Sequence, residues 1–187
     1  GYGARALGHH ELDLGPQAYA ANRATAGVTF LSANRGGPRA SGIALPSLVV
    51  TRGGIRIGVV GMSTVTTPKA AAAHRFHDLT VEPEAPSLEL AIEALWQQDV
   101  DAVVLLAHEC HDIMAPIVAA HPEWRLAFVG TGHCHRTSVE LVGGVPVIAP
   151  DWRLEHYERV ELVVDRSRPP RERARVSHYE PIEAAAS

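Results

Sequence analysis

The chain contains only two cysteines, Cys110 and Cys134, among its 187 residues. That is too few for a disulfide framework, so buried free thiols are the expectation for both. No stretch approaches the roughly eighteen consecutive apolar residues of a membrane-spanning helix, and no charged-then-apolar leader opens the sequence. It also lacks a strong charge of either sign. The net charge is −4, and the arginines are scattered apart from a Pro-flanked run from Arg166 to Arg175, so no nucleic-acid-binding face is expected. No internal repeat is visible. What remains is a chain that is 46% hydrophobic and long enough to bury a core, read as a single domain over residues 1–187.

Histidine, by contrast, is plentiful, with 11 in the chain, and its placement is informative. The apolar run Leu126 to Val129 feeds the turn Gly130-Thr131-Gly132 and then His133-Cys134-His135. A short hydrophobic segment stopping at glycines reads as a buried strand whose end lets the backbone bend. Ala102 to Ala107 is a second such run and ends at His108, and the pair His9-His10 lies near the start. Separated segments that each deliver imidazole at a turn or strand end suit a metal site assembled from distant positions.

In chain order, Pro16 can occupy a first helical turn, Gln17 to Ala26 favour helix and Gly27 is a plausible stop. Val28 to Ala33 reads as a strand and Asn34 to Ser47 as loop. Leu48 to Thr51 and Ile55 to Met62 form a hairpin through Arg52-Gly53-Gly54. Ser63 to Ala73 is read as loop passing into a short Ala-rich helix, and His74 and His77 as surface histidines. Between Pro86 and Gln98, Leu88, Ala91, Ile92 and Leu95 make one helical stripe. Strand Ala102 to Ala107, helix Ile113 to Ala120 and strand Leu126 to Val129 imply a crossover within one sheet. Ser138 to Val142 and Val145 to Ala149 form a second hairpin, Tyr157 to Val164 a third strand, and Arg173 to Tyr179 an edge strand before an alanine tail. The fold class is α/β, a layered sandwich of mixed β-sheets flanked by helices.

Five segments then fall in one order: Gly8-His9-His10-Glu11-Leu12-Asp13, Leu31-Ser32-Ala33-Asn34, Gly54 to Gly61, Leu105-Leu106-Ala107-His108 and Gly130 to His135. In this the chain resembles the calcineurin-like metallophosphoesterases, specifically the 5′-nucleotidase branch, marked by GNHE-F-D, L-S-A-N, G-x-K-I-G-x-I-G, L-S-H and G-G-H-x-H. The resemblance implies a metal-dependent phosphoester hydrolase using two divalent ions, such as manganese, zinc or iron. It implies His108 and His133 as ligands of one metal and His135 of the other. His10 is implied as the catalytic imidazole, oriented by Asp13, although an Asp capping the helix near Pro16 accounts for Asp13 equally well. His9 stands where the family has a ligand Asn. The substrate implied is a phosphoester small molecule, nucleotides included, and the setting implied is extracytoplasmic.

The family's D-x-H and G-D-x-x-x-x-G segments, which supply its bridging Asp, do not occur in these 187 residues. The chain therefore resembles the C-terminal half of the catalytic domain without its N-terminal strands, and a preceding segment or a separate chain is expected to supply the missing ligands. Two other readings stay open. One is a degenerate, non-catalytic binding domain; the other is a mononuclear hydrolase built on His9, His108 and His133 with an open position for water.

Overall fold

The computed structural model describes residues 3–37, 40–66, 79–152 and 155–183. The Ala-rich helix expected before Ala73, the surface assignments of His74 and His77 and the alanine tail lie outside the described residues. The chain begins with β1 (Ala4–Ala6), a 3-10 turn (His10–Leu12), α1 (Pro16–Ala26), β2 (Thr29–Leu31), β3 (Arg35–Gly36) and α2 (Ala40–Ile43). The hairpin β4 (Ser47–Arg52) and β5 (Ile55–Ser63) follows, then β6 (Thr80–Val81), α3 (Glu84–Trp96), β7 (Ala102–His108), α4 (His111–Ala120) and β8 (Phe128–Thr131). The last strands are β9 (Ser138–Val142), β10 (Val145–Ala149), β11 (His156–Val164) and β12 (Ala174–Glu183).

The principal sheet has the order β4-β5-β7-β8-β10-β9. Its inner strands β5, β7, β8 and β10 run parallel, and the edges β4 and β9 are antiparallel, each tied to its neighbour by a hairpin. Parallel strands covered on both faces need apolar residues without a break, which is what the runs in β5 and β7 supply. Along β7, Val103, Leu105 and Ala107 pack with Leu88, Leu95, Met114 and Val118 of α3 and α4. The intervening Ala102 and Val104 join Leu31, Val59 and Ala127 on the other face, against Leu162 and Ala174 of the β11–β12 ribbon. Each fully buried Leu, Ile or Met is worth about 1.5–3 kcal/mol.

Local signals explain the remaining elements. Pro16 opens α1, and Gly27 ends it in the left-handed region at φ 60°, its N–H donating to the Arg23 carbonyl. The stripe Leu88, Ala91, Ile92 and Leu95 is buried as its spacing requires. Gly61 sits where β5 passes over β2: Ala33 N donates to Gly61 O at 2.7 Å, and a Cβ at Gly61 would lie within 2.5 Å of the Leu31 carbonyl carbon and oxygen. Gly61→Ala is therefore expected to lower stability by about 1–3 kcal/mol or more, measured as the shift of the urea unfolding midpoint. An unchanged midpoint would show that β2 can retreat from β5 freely.

Three expectations need correction. The stretch Asn34 to Ser47 is not all loop: it holds β3, which pairs with β6, and the turn of helix α2. β11 does not extend the principal sheet but pairs with β12 in a two-stranded ribbon, and β12 runs on to Glu183. Most consequentially, Cys110 and Cys134 are not free thiols. They form a disulfide with their Cα atoms 5.2 Å apart, because neighbouring strands β7 and β8 carry them off the same end of the sheet.

Candidate metal centre

The centre lies at the carboxyl ends of β7 and β8. Their parallel register sets Ala107 opposite Thr131, so His108 and the turn after Thr131 leave the sheet side by side. Gly132 N donates to Glu109 O at 3.2 Å, joining the two loops beyond the last ladder pair. His133 then adopts φ 69° and His135 φ 52°, left-handed turns that swing the two side chains out separately. His9 arrives from β1, which pairs in parallel with β2; Leu7 N donates to Leu31 O, and Ser63 Oγ donates to Leu7 O at 2.6 Å. Gly8 makes the approach possible, because a Cβ there would meet Glu11 Oε2 at 2.7 Å and His108 Cε1 at 3.0 Å.

Three imidazoles meet as a result. The rings of His9 and His108 are 5.1 Å apart, and His133 lies 4.9 Å from each of them. His9 Nδ1 and His108 Nε2 share a hydrogen bond of 3.0 Å, and one nitrogen from each of the three rings falls within 4.8 Å of the other two. Burial first, and then the neighbouring His133 and His9, push His108 down to about 3, and burial followed by His10 lowers His9. His108 therefore keeps its lone pair at neutral pH, the form a metal requires. Three imidazole nitrogens on separate loops fit a borderline-soft divalent ion such as zinc.

The remaining expected residues are placed around this cluster. The His10 ring lies 4.1 Å from that of His9 and tilted by 44°, is largely exposed, and its Nδ1 is 2.6 Å from Asp13 Oδ2. Asp13 does not cap α1, whose N-cap is Gly15 with no side-chain hydrogen bond. His135 is not brought into the cluster; it lies against Trp152, rings 5.2 Å apart and tilted by 24°.

Several residues escaped the sequence reading. Asn34 is 1% exposed, accepts from Ser63 N at 3.0 Å and donates to Ser63 O and Glu82 O, so the L-S-A-N segment locks β2 to the end of β5 beneath His9. Arg35 is buried beside it; its Nε and Nη1 have no hydrogen-bond partner among the described residues, and burial lowers its guanidinium to about 10. Glu109 is buried at 2% exposure with one oxygen on its neighbour's N–H. Only its position between a candidate ligand and a cysteine could have drawn attention to it.

The chain is similar to several known proteins. No family model matches the chain. A rat 5′-nucleotidase is 34% identical over 115 residues, spanning 58% of this chain and 19% of that protein. A Staphylococcus aureus protein assigned as a 5′-nucleotidase superposes with a TM-score of 0.84 at 19% identity, over 100% of this chain and 39% of that one. A 5′-nucleotidase precursor from Thermus thermophilus gives 0.75 at 23% identity, over 96% and 38%. A calcineurin-like phosphoesterase from Bacillus subtilis gives 0.77 at 14%, over 97% and 63%. The chain thus spans well under half of the 5′-nucleotidases it matches.

Proposed function

We propose that this chain, which has the fold of the 5′-nucleotidases and calcineurin-like phosphoesterases and resembles a 5′-nucleotidase in sequence, is part of the catalytic domain of a metal-dependent phosphoester hydrolase. The observation that carries this reading is the convergence of His9, His108 and His133, from three separate segments, within 4.8 Å. A divalent ion held there would polarise a phosphoryl oxygen and lower the pKa of a water. The chain's own residues supply the rest. Burial of His9 and His108 keeps them neutral and able to donate a lone pair. Asp13 accepts the Nδ1–H of His10, which fixes the tautomer and leaves Nε2 as the nitrogen that exchanges a proton with the departing oxygen. The 4.1 Å separation of the His9 and His10 rings sets that nitrogen's ring at the rim of the donor cluster.

Substrates of the nucleotide type, and a preceding segment or partner chain bearing D-x-H and G-D-x-x-x-x-G, belong to this reading, with His135 as a ligand of a second ion. The position of His135 against Trp152 favours one further reading, a mononuclear site of three imidazoles. Zinc titration by calorimetry of the oxidised chain joined to a segment bearing those motifs tests both. Two ions per chain support the dinuclear form, one supports the mononuclear form, and no uptake would leave a non-catalytic binding domain.

A further inference from the structure

Beside the three imidazoles lies a second set of donors, two of which, Glu109 and Cys110, the hydrolase reading does not use. One carboxylate oxygen of Glu109, Cys110 Sγ and one ring nitrogen of His133 all fall within 4.8 Å of one another. Glu109 is 2% exposed; its Oε1 accepts the Cys110 N–H at 2.8 Å, while its Oε2 is buried with no hydrogen-bond partner among the described residues. His133 Nδ1 is buried and unpartnered in the same way. A buried carboxylate oxygen left unpartnered is costly, so a residue pair that carries such an oxygen and an unpartnered ring nitrogen, both with a donor atom close to one sulfur, calls for a common partner. The sulfur is withheld from any metal only because it is bonded to Cys134.

We infer that Glu109, Cys110 and His133 form a redox-gated metal site: reduction of the Cys110–Cys134 disulfide frees a thiolate that binds a borderline-soft divalent cation together with the Glu109 carboxylate and the His133 imidazole. A tetrahedral ion with bonds of about 2.0–2.3 Å holds its donors about 3.3–3.8 Å apart, which small rotamer shifts achieve from the observed spacing. The loops stay together when the disulfide opens, because the Ala107–Thr131 pair and the Gly132 N to Glu109 O bond join them independently. Cys134 and Asp112 offer an alternative set with Cys110, but both are exposed, whereas Glu109 is buried with an open valence.

The chemistry balances with a thiol or phosphine reductant. A phosphine gives two electrons to the S–S bond and leaves as its oxide with the oxygen of one water, whose two protons go to the two sulfurs. As the cation binds, the Cys110 proton passes to solvent and the Sγ–metal bond forms. The site shares His133 with the proposed hydrolase centre but does not rest on that centre being catalytic.

Cobalt(II) alone, titrated into the 187-residue chain and followed by absorption, tests the inference. Sulfur-to-cobalt charge transfer in the near ultraviolet is expected in the phosphine-reduced wild type and, without reductant, in Cys134→Ser, with cobalt affinity at least about tenfold above the oxidised chain. Cys110→Ser should lack the band under any condition. Both variants lose the disulfide, so a shared folding cost cancels in their comparison, and the reduced wild type gives the answer if neither folds. No band in the reduced wild type, or a band that survives Cys110→Ser, would overturn the site. Cobalt uptake by the oxidised chain reports separately on the three-imidazole centre, so the two readings fail independently.

Discussion

Replacing both His108 and His133 with alanine is expected to weaken zinc binding by the oxidised chain by on the order of a thousandfold, about 4 kcal/mol. The two residues supply two of the three nitrogens that converge, and they come from adjacent strand ends that the sheet holds in fixed register. His9 alone would bind no better than any single surface imidazole. A suitable comparison is His121→Ala, because His121 is bonded to Glu123 at 2.8 Å, stacked on Trp124 and remote from the cluster; its affinity should match wild type. Isothermal calorimetry on the three proteins, with thermal melts to confirm that each is folded, makes the measurement. Equal affinity in the double variant and the wild type would place the ion elsewhere and remove the observation on which the hydrolase reading stands.

The convergence of His9, His108 and His133 was legible in the sequence because its logic is local. The runs Ala102 to Ala107 and Leu126 to Val129 announce buried strands, and histidines immediately after two neighbouring parallel strands must leave the sheet at the same end. The paired glycines between β4 and β5, and Gly27 behind α1, are equally local and equally readable. What escaped depends on register between segments far apart in the chain. Whether Cys110 and Cys134 bond depends on β7 and β8 being aligned so that Ala107 faces Thr131, which no count of cysteines reveals. The two-residue strands β3 and β6 are too short to carry a period, and they pair Arg35 with Val81 and Gly36 with Thr80, far apart in the chain. Asp101 shows the same limit. It looks like an ordinary loop carboxylate, yet it is 2% exposed, accepts from Arg56 N and is bonded by Arg166 at 2.7 Å, which together tie the β11–β12 ribbon to the sheet. Glu109 is a second case: its burial follows from the turn it enters, not from its neighbours in sequence.

The 187 residues alone are expected to hydrolyse a generic aryl phosphate barely above the uncatalysed rate, and joining them to a segment bearing D-x-H and G-D-x-x-x-x-G motifs is expected to restore turnover. The three donors of the proposed hydrolase centre, His9, His108 and His133, are all imidazoles, whereas two dications held close together repel each other and need a bridging carboxylate between them. The buried Arg35, two of whose guanidinium nitrogens have no hydrogen-bond partner among the described residues, adds a further positive charge near His108. His10 sits outside the donor set, exposed and held by Asp13, so it can act only on a phosphate that other groups have already positioned. His10→Ala should accordingly lower kcat by about 10²–10⁴-fold in the joined enzyme, the range for a lost general acid or base, and change nothing measurable in the chain alone. Asp13→Asn should reproduce part of that loss, since the amide holds the Nδ1–H tautomer less firmly than the carboxylate does. Metal-supplemented hydrolysis by the chain, the joined protein and the two variants decides the matter. Robust, His10-dependent turnover by the chain alone would show that three imidazoles and one ion suffice, and the mononuclear reading would replace the dinuclear one.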